Sequence, residues 1–111
     1  MKEFVFIFRT SKRVLSEEEQ EQRRDWALAL REGGRKLDPR ILGEESYRVT
    51  EDGVKNVTSP GGEVPVAAIL FIEAADFNEA LTLAKTHPGL RSGVSIEVRE
   101  WSIPSVSKSP K

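Results

Sequence analysis

Two segments with apolar residues on both alternating faces set the strongest limit on how this chain can fold. Phe4 to Phe8 reads Phe-Val-Phe-Ile-Phe, and Val66 to Ile72 reads Val-Ala-Ala-Ile-Leu-Phe-Ile. Successive side chains of a strand point to opposite faces of its sheet, so strands of this kind are covered on both sides. We therefore expect two interior strands. The chain has 111 residues, which is enough for one modest core and predicts one domain.

The first predicted helix begins at Ser16. Glu19 follows three residues later, as in a capping box, and the run Glu17-Glu18-Glu19 places negative charge where it favours the helix dipole. Gly33-Gly34 ends the helix after about Glu32. Its inward stripe is predicted to consist of Trp26, Ala27 and Leu30, with Gln22 or Arg23 one turn earlier.

The second predicted helix begins at Asp76, which precedes Glu79 in the same capping pattern. His87-Pro88-Gly89 ends it, because the residue before a proline disfavours helical geometry. Apolar residues at i, i+3, i+4 and i+7 predict its buried face: Phe77, Ala80, Leu81 and Ala84.

The rest of the chain predicts shorter strands. Leu37 to Gly43 contains Asp38-Pro39 and indicates an irregular edge strand. Glu51-Asp52-Gly53 between Tyr47 to Thr50 and Val54 to Thr58 indicates a hairpin. Val94, Ile96 and Val98 alternate with polar residues and predict a half-buried last strand that ends near Trp101. We expect residues 1–101 to form the domain and 102–111, rich in Ser, Pro and Lys, to be a flexible tail.

The order strand, helix, hairpin region, strand, helix, strand indicates the α+β class. It predicts a ferredoxin-like sandwich with both helices on one face of a mainly antiparallel sheet, and with an extra hairpin. Two helices can cover only one face of that sheet, whereas the interior strands are apolar on both. The uncovered face predicts a homodimer that packs sheet against sheet.

Composition excludes several classes of function. The 17 basic and 18 acidic side chains leave a net charge of −1, which does not favour nucleic acid as a partner. Without cysteine there is no disulfide, thiol nucleophile or zinc thiolate site. The apolar stretches are far shorter than the roughly 20 residues of a membrane helix, and no secretory signal is recognisable, so we expect a cytoplasmic protein without membrane contact. The helix dipole accounts for Glu17 to Glu19 without a metal site, and we expect no cofactor.

His87 is the one histidine of the chain and the first candidate for catalysis. It should lie at the inner, C-terminal end of the second helix, where it has two interpretations. As a general acid or base it would work at the mouth of a pocket between helix and sheet. As a structural residue it would cap the last carbonyls of that helix, which we favour because no carboxylate lies close in sequence.

Four further residues are candidates for ligand binding. Arg23 is suited to an anionic or carbonyl group, Arg9 to orienting an anion, and Trp26 to stacking on a planar ligand. The alternatives are a core role for Trp26 and solvent-exposed ion pairs for Arg23 and Asp25, and we favour these. Glu97 and Arg99 share one face of the last strand, where they either belong to an interface or pocket or are exposed charges.

The chain resembles the YCII-related family, in its DGPF-domain branch, over about residues 1–101. The similar segments are Met1 to Arg9, Ile72 to Lys85, the His87-Pro88-Gly89 turn and Gly93 to Arg99. The resemblance implies a dimeric α+β barrel in which two ferredoxin-like protomers pack sheet against sheet. The Asp-Gly-Pro-Phe motif is replaced by Ser59-Pro60-Gly61-Gly62-Glu63, and the first-helix histidine of some relatives is absent from Arg23-Arg24-Asp25-Trp26. Roles attached to those two features therefore do not carry over.

Three classes of function remain open. The first is a homodimer that binds a small molecule in an apolar pocket between helices and sheet. The second is a cofactor-free lyase or isomerase with His87 as general acid/base, because a few relatives act as lyases on chlorinated aromatics. The third is a regulatory or partner-binding module, because relatives are sometimes linked to transcription initiation factors.

Overall fold

The computed structural model describes residues 1–11, 14–58 and 64–104. The helices and strands within these residues are, in chain order, β1 (Lys2–Arg9), α1 (Glu17–Glu32), β2 (Leu37–Ile41), β3 (Tyr47–Thr50), β4 (Gly53–Asn56), β5 (Val66–Ala74), α2 (Phe77–Lys85), a 3₁₀ helix (Pro88–Ser92) and β6 (Ser95–Glu100).

Four of these strands form one antiparallel sheet in the order β2-β5-β1-β6. The two predicted interior strands, β1 and β5, are neighbours at its centre, and β2 is an edge strand as Asp38-Pro39 indicated. Both helices pack against the same side of the sheet. This is the strand order of a ferredoxin-like α+β fold, so the predicted fold class is confirmed.

The core lies between the helices and one face of the sheet. Phe4 and Phe6 are completely buried, and the register of the sheet places them opposite Ile72 and Leu70 of β5. The ring of Phe77 packs edge-on against Phe4, with 5.0 Å between ring centroids. Burial of such aromatic side chains contributes much of the stability of a small domain.

The opposite side of the sheet, which we call the outer face, carries a half-buried apolar row. Its members come from the two central strands: Val5, Ile7, Ile69 and Phe71. Glu97 and Arg99 of β6 lie beside this row, and the ring of Trp101 packs against Phe71 at 4.9 Å. In the described part of the chain both helices pack against the core on the opposite side of the sheet, and β1 and β5 carry apolar residues on both faces, as predicted.

Both predicted helix starts are confirmed. The Ser16 hydroxyl accepts a hydrogen bond from the Glu19 N–H at 3.1 Å, and the Glu19 carboxylate accepts one from the Ser16 N–H at 2.9 Å. Asp76 caps α2 through the Glu79 N–H at 2.9 Å. Because these bonds satisfy N–H groups that have no partner inside the helix, each start is specified locally.

The buried face predicted for α2 is only partly correct. Ala80 and Ala84 are buried, but Leu81 is 43% exposed, and Leu83 packs against the core in its place. The small side chains of the two alanines let the helix lie close to the sheet. The face of α2 that contacts the sheet therefore includes Leu83 and not Leu81. Phe77, although 44% exposed, touches the core through the edge of its ring.

The hairpin of β3 and β4 forms a separate two-stranded sheet that pairs Val49 with Val54. Its strands are exposed along their whole length, including Tyr47, Val49 and Val54. The described residues have a radius of gyration of 16.3 Å, whereas a compact chain of this length has about 13 Å. The exposed hairpin agrees with this extended shape.

Two predicted segments fall partly or wholly outside the described residues. Ser59-Pro60-Gly61-Gly62-Glu63, which replaces the family motif, lies outside them. Of the predicted tail, residues 102–104 form neither helix nor strand, and 105–111 lie outside the described part. No helix in the described part is long and apolar enough to cross a bilayer.

Candidate functional site

An apolar cavity of about 310 Å³ lies between α1 and the helix side of the sheet. Phe8, Leu15, Ala27, Ile41, Ala68 and Leu70 form much of its wall. Ligand-binding cavities in proteins are commonly of about 300–1,000 Å³, apolar, and equipped with a few polar groups that converge. The polar lining residues are Thr10, Gln20, Arg23, Arg40 and His87.

His87 is held between two aromatic rings at the wall of this cavity. Its ring centroid lies 4.9 Å from that of Phe8 and 4.8 Å from that of Trp26, and only 7% of the residue is exposed. Trp26 is fixed in turn, because its indole N–H donates to the Thr86 hydroxyl at 2.7 Å. The orientation of the imidazole is therefore set by packing on both sides.

The predicted capping of the last α2 carbonyls by the His87 side chain is wrong, although the His87 backbone N–H donates to the Ala84 carbonyl at 3.1 Å. The His87 Nδ1 accepts a hydrogen bond from the Gly89 N–H at 3.0 Å, and so it caps the start of the 3₁₀ helix. Pro88 explains the difference, because the residue before a proline is extended, and His87 has φ −67° and ψ 128°. This backbone directs the side chain to the next turn of the chain.

The cap also determines which ring nitrogen carries the proton. Because Nδ1 is the acceptor, the proton of the neutral imidazole is on Nε2. Burial, and secondly the positive charge of Arg23, lower the pKa of His87 to about 4. At neutral pH the side chain is therefore an uncharged N–H donor.

Arg23 brings a positive charge to the same point. A Cβ atom at Gly89 would lie 3.0 Å from the Arg23 Nη2 and 2.9 Å from the His87 Cε1, so guanidinium and imidazole meet over this glycine. Among the described residues, no carboxylate lies within ion-pairing distance of Arg23. Arg40, which also reaches the cavity, forms an ion pair with Asp38.

The structure brings together three of the five residues that the sequence nominated: Arg23, Trp26 and His87. Asp25 is exposed on α1 and does not line the cavity. Arg9 lies at the end of β1, where it donates to the Val64 carbonyl at 3.3 Å and lines a separate cleft at the base of the hairpin. Neither residue contributes to the site around His87.

Phe8 and Gly89 belong to the site but were not nominated from the sequence. Phe8 was recognisable only as one of several apolar residues in an interior strand. Gly89 follows a proline, and the sequence predicts only a helix stop there, whereas its absent side chain makes room for the imidazole and the guanidinium. The sequence signal for this part of the site is the order His-Pro-Gly. In it, the histidine caps the 3₁₀ helix and the buried glycine follows two residues later.

Glu97 and Arg99 form an ion pair on the outer face, with 2.9 Å between Arg99 Nη1 and Glu97 Oε2. Glu97 also lies 3.9 Å from Arg9 Nη2. All three are at least one-third exposed, so each contact contributes little to stability in the isolated chain. Within the described residues, no three His, Cys, Asp or Glu side chains gather as a metal site would require.

Comparison with known proteins gives no relative from which a role could be transferred, because no family model matches the chain and no curated protein matches it at a significant level.

Proposed function

We propose that this chain is a YCII-related homodimer that binds one small, largely apolar molecule in the cavity between α1 and the sheet. The observation that carries the proposal is the cavity itself, about 310 Å³ in volume, with Arg23 and His87 on an otherwise mostly apolar wall. A preformed cavity of this kind is the usual place for a small ligand. The ferredoxin-like strand order and the resemblance to the YCII-related family support the assignment.

The state of His87 favours binding over general acid/base catalysis. A general acid or base is most effective when its pKa is close to the working pH, whereas the pKa of His87 is lowered to about 4. Its Nδ1 is already occupied by the Gly89 N–H. These two observations support a role in which His87 donates a fixed hydrogen bond to a ligand.

The outer face supports the homodimer. Val5, Ile7, Ile69 and Phe71 form an apolar row that extends across the two central strands, and β3 and β4 expose further apolar side chains. A two-stranded hairpin has little stability by itself in water, and a second protomer would cover both surfaces. Glu97 and Arg99 would then lie in the interface.

Ligand binding can be tested with naphthalene as an uncharged probe, observed by ¹H–¹⁵N NMR. We expect shifts at Phe8, Trp26 and His87, and we expect Ala27→Leu, which fills the cavity, to weaken the binding at least tenfold. Ala29→Leu is the matched control, because Ala29 is exposed on the same helix. Shifts confined to other residues, or equal binding by the two variants, would contradict the proposal.

The dimer can be tested by sedimentation equilibrium at micromolar concentration. Ile7→Lys places a charge in the centre of the outer face and should produce a folded monomer. Leu28→Lys makes the same change on the exposed side of α1 and should remain dimeric. A wild-type chain that sediments as a monomer would refute the interface.

A further inference from the structure

We infer that the ligand is a singly charged organic acid with an apolar, preferably aromatic, body, and that its carboxylate is held by the Arg23 guanidinium and by the Nε2–H of His87. This inference rests on the proposed function, because it specifies the ligand of the same cavity.

The charge balance of the cavity favours an anion. Arg23 is half-buried and lines the cavity, and a guanidinium stays charged at every accessible pH. A charge that is partly removed from water is costly unless an opposite charge accompanies it. Among the described residues no carboxylate pairs with Arg23, whereas the neighbouring cation Arg40 is paired with Asp38. A ligand carboxylate would supply the missing partner.

His87 offers the second donor. Nδ1 is used by Gly89, and in the described part of the chain Nε2 makes no hydrogen bond. No fully buried polar side-chain atom there lacks a partner, so Nε2 is at least slightly exposed, and His87 lines the cavity. An N–H donor beside a guanidinium matches the two oxygens of one carboxylate.

The imidazole is held in place before any ligand binds, between Phe8 and Trp26 and by its bond to Gly89, and the Arg23 guanidinium lies near the same glycine. A donor that is already ordered loses less entropy on binding. The aromatic faces of Phe8 and Trp26 favour a planar body next to the carboxylate. One unpaired cation favours a monoanion over a dianion.

The test compares two probes of nearly equal shape, 2-naphthoate and 2-naphthalenemethanol, by isothermal titration calorimetry on the full chain at pH 7.5. We expect the acid to bind at least about tenfold more tightly than the alcohol, because hydrogen bonds to charged groups are the stronger ones. Arg23→Gln should abolish this preference while the affinity for the alcohol stays within about twofold. Arg24→Gln, an exposed neighbour on α1, should leave both affinities unchanged.

A second variant separates the role of His87. His87→Asn keeps an oxygen that can accept from the Gly89 N–H but removes the Nε2–H, so it should reduce the preference for the acid without unfolding the chain. If the wild-type protein binds both probes equally, or if Arg23→Gln retains the preference, the inference is overturned while the proposed function stands. If neither probe binds, the proposed function itself fails.

Discussion

Acidification provides a direct measurement of how deeply His87 is buried. The pKa of this imidazole is about 4 in the folded protein and 6.5 when the side chain is free. Between these two values the unfolded chain binds a proton that the folded chain does not. The free energy of unfolding should therefore be highest above pH 6.5 and should decrease as the pH falls toward 4.

The size of the effect follows from the two pKa values. A lowering of the pKa from 6.5 to about 4 should reduce the free energy of unfolding by about 3 kcal/mol once His87 is protonated in both the folded and the unfolded chain. At pH 5 the reduction should be about 2 kcal/mol. Small domains have roughly 5–15 kcal/mol of stability in total, so protonation of this single residue in the unfolded chain would remove a large share of it at acid pH. The low exposure of His87, 7%, means that solvent screening does not reduce the effect greatly.

The assay is urea unfolding at pH 7.5 and pH 5.0, followed by circular dichroism at one fixed protein concentration. His87→Asn is the control: it keeps the acceptor for Gly89 but does not titrate, so most of the difference between the two pH values should disappear. Because the chain has one histidine, the imidazole Cε1–H signal can also be titrated by NMR without assignment. A folded pKa near 6.5, or an unchanged pH dependence in His87→Asn, would refute the burial argument.

Four other substitutions test separate contacts by urea unfolding. Trp26→Phe keeps an aromatic ring, although a smaller one, and removes the indole N–H that bonds to Thr86, so it should cost at least about 1 kcal/mol; no loss would mean that this bond is not formed. Ser16→Ala removes the α1 cap at a similar cost of about 1 kcal/mol, with an unchanged m-value expected if the fold is intact. Gly89→Ala places a Cβ 2.9 Å from the imidazole and should cost roughly 1–3 kcal/mol, whereas a neutral result would show that the ring can move. Glu79→Gln should destabilise at pH 7, and the difference from the wild type should shrink as the pH falls through the pKa of the Glu79 carboxyl, which the hydrogen bond from the Arg35 guanidinium holds below its ordinary value; an effect that does not change with pH would contradict this role.

Features specified by a few neighbouring residues were predictable from the sequence. The interior strands followed from apolar residues on both alternating faces, and the two helix starts followed from Ser16 and Asp76, which act within one turn of chain. The hairpin followed from Asp52-Gly53, because Gly53 adopts a φ of +126° that other residues avoid. Each of these signals acts locally, so tertiary packing did not overrule it.

The site was less predictable because its parts come from distant segments. Arg23 belongs to α1 and His87 follows α2, and only the packing of α1 beside the 3₁₀ helix brings them over Gly89. Leu81 was misassigned for a related reason, since the rotation of α2 about its axis depends on how close two alanines let it approach the sheet. Periodicity in the sequence indicates which face of a helix is apolar. The surface against which the helix packs, here the sheet, decides which residues at the border of that face become buried.

The central position of β1 has a consequence for synthesis of the protein. Within the described residues β1 pairs with β5 and β6, which begin at Val66 and Ser95, so β1 leaves the ribosome well before either partner strand. At ordinary translation rates this delay is roughly 5–20 s, during which Phe4 to Phe8 has two open edges and two uncovered faces. Contacts so distant in sequence also slow folding after release. The segment that anchors the native core is therefore, in the nascent chain, the one most in need of protection from aggregation.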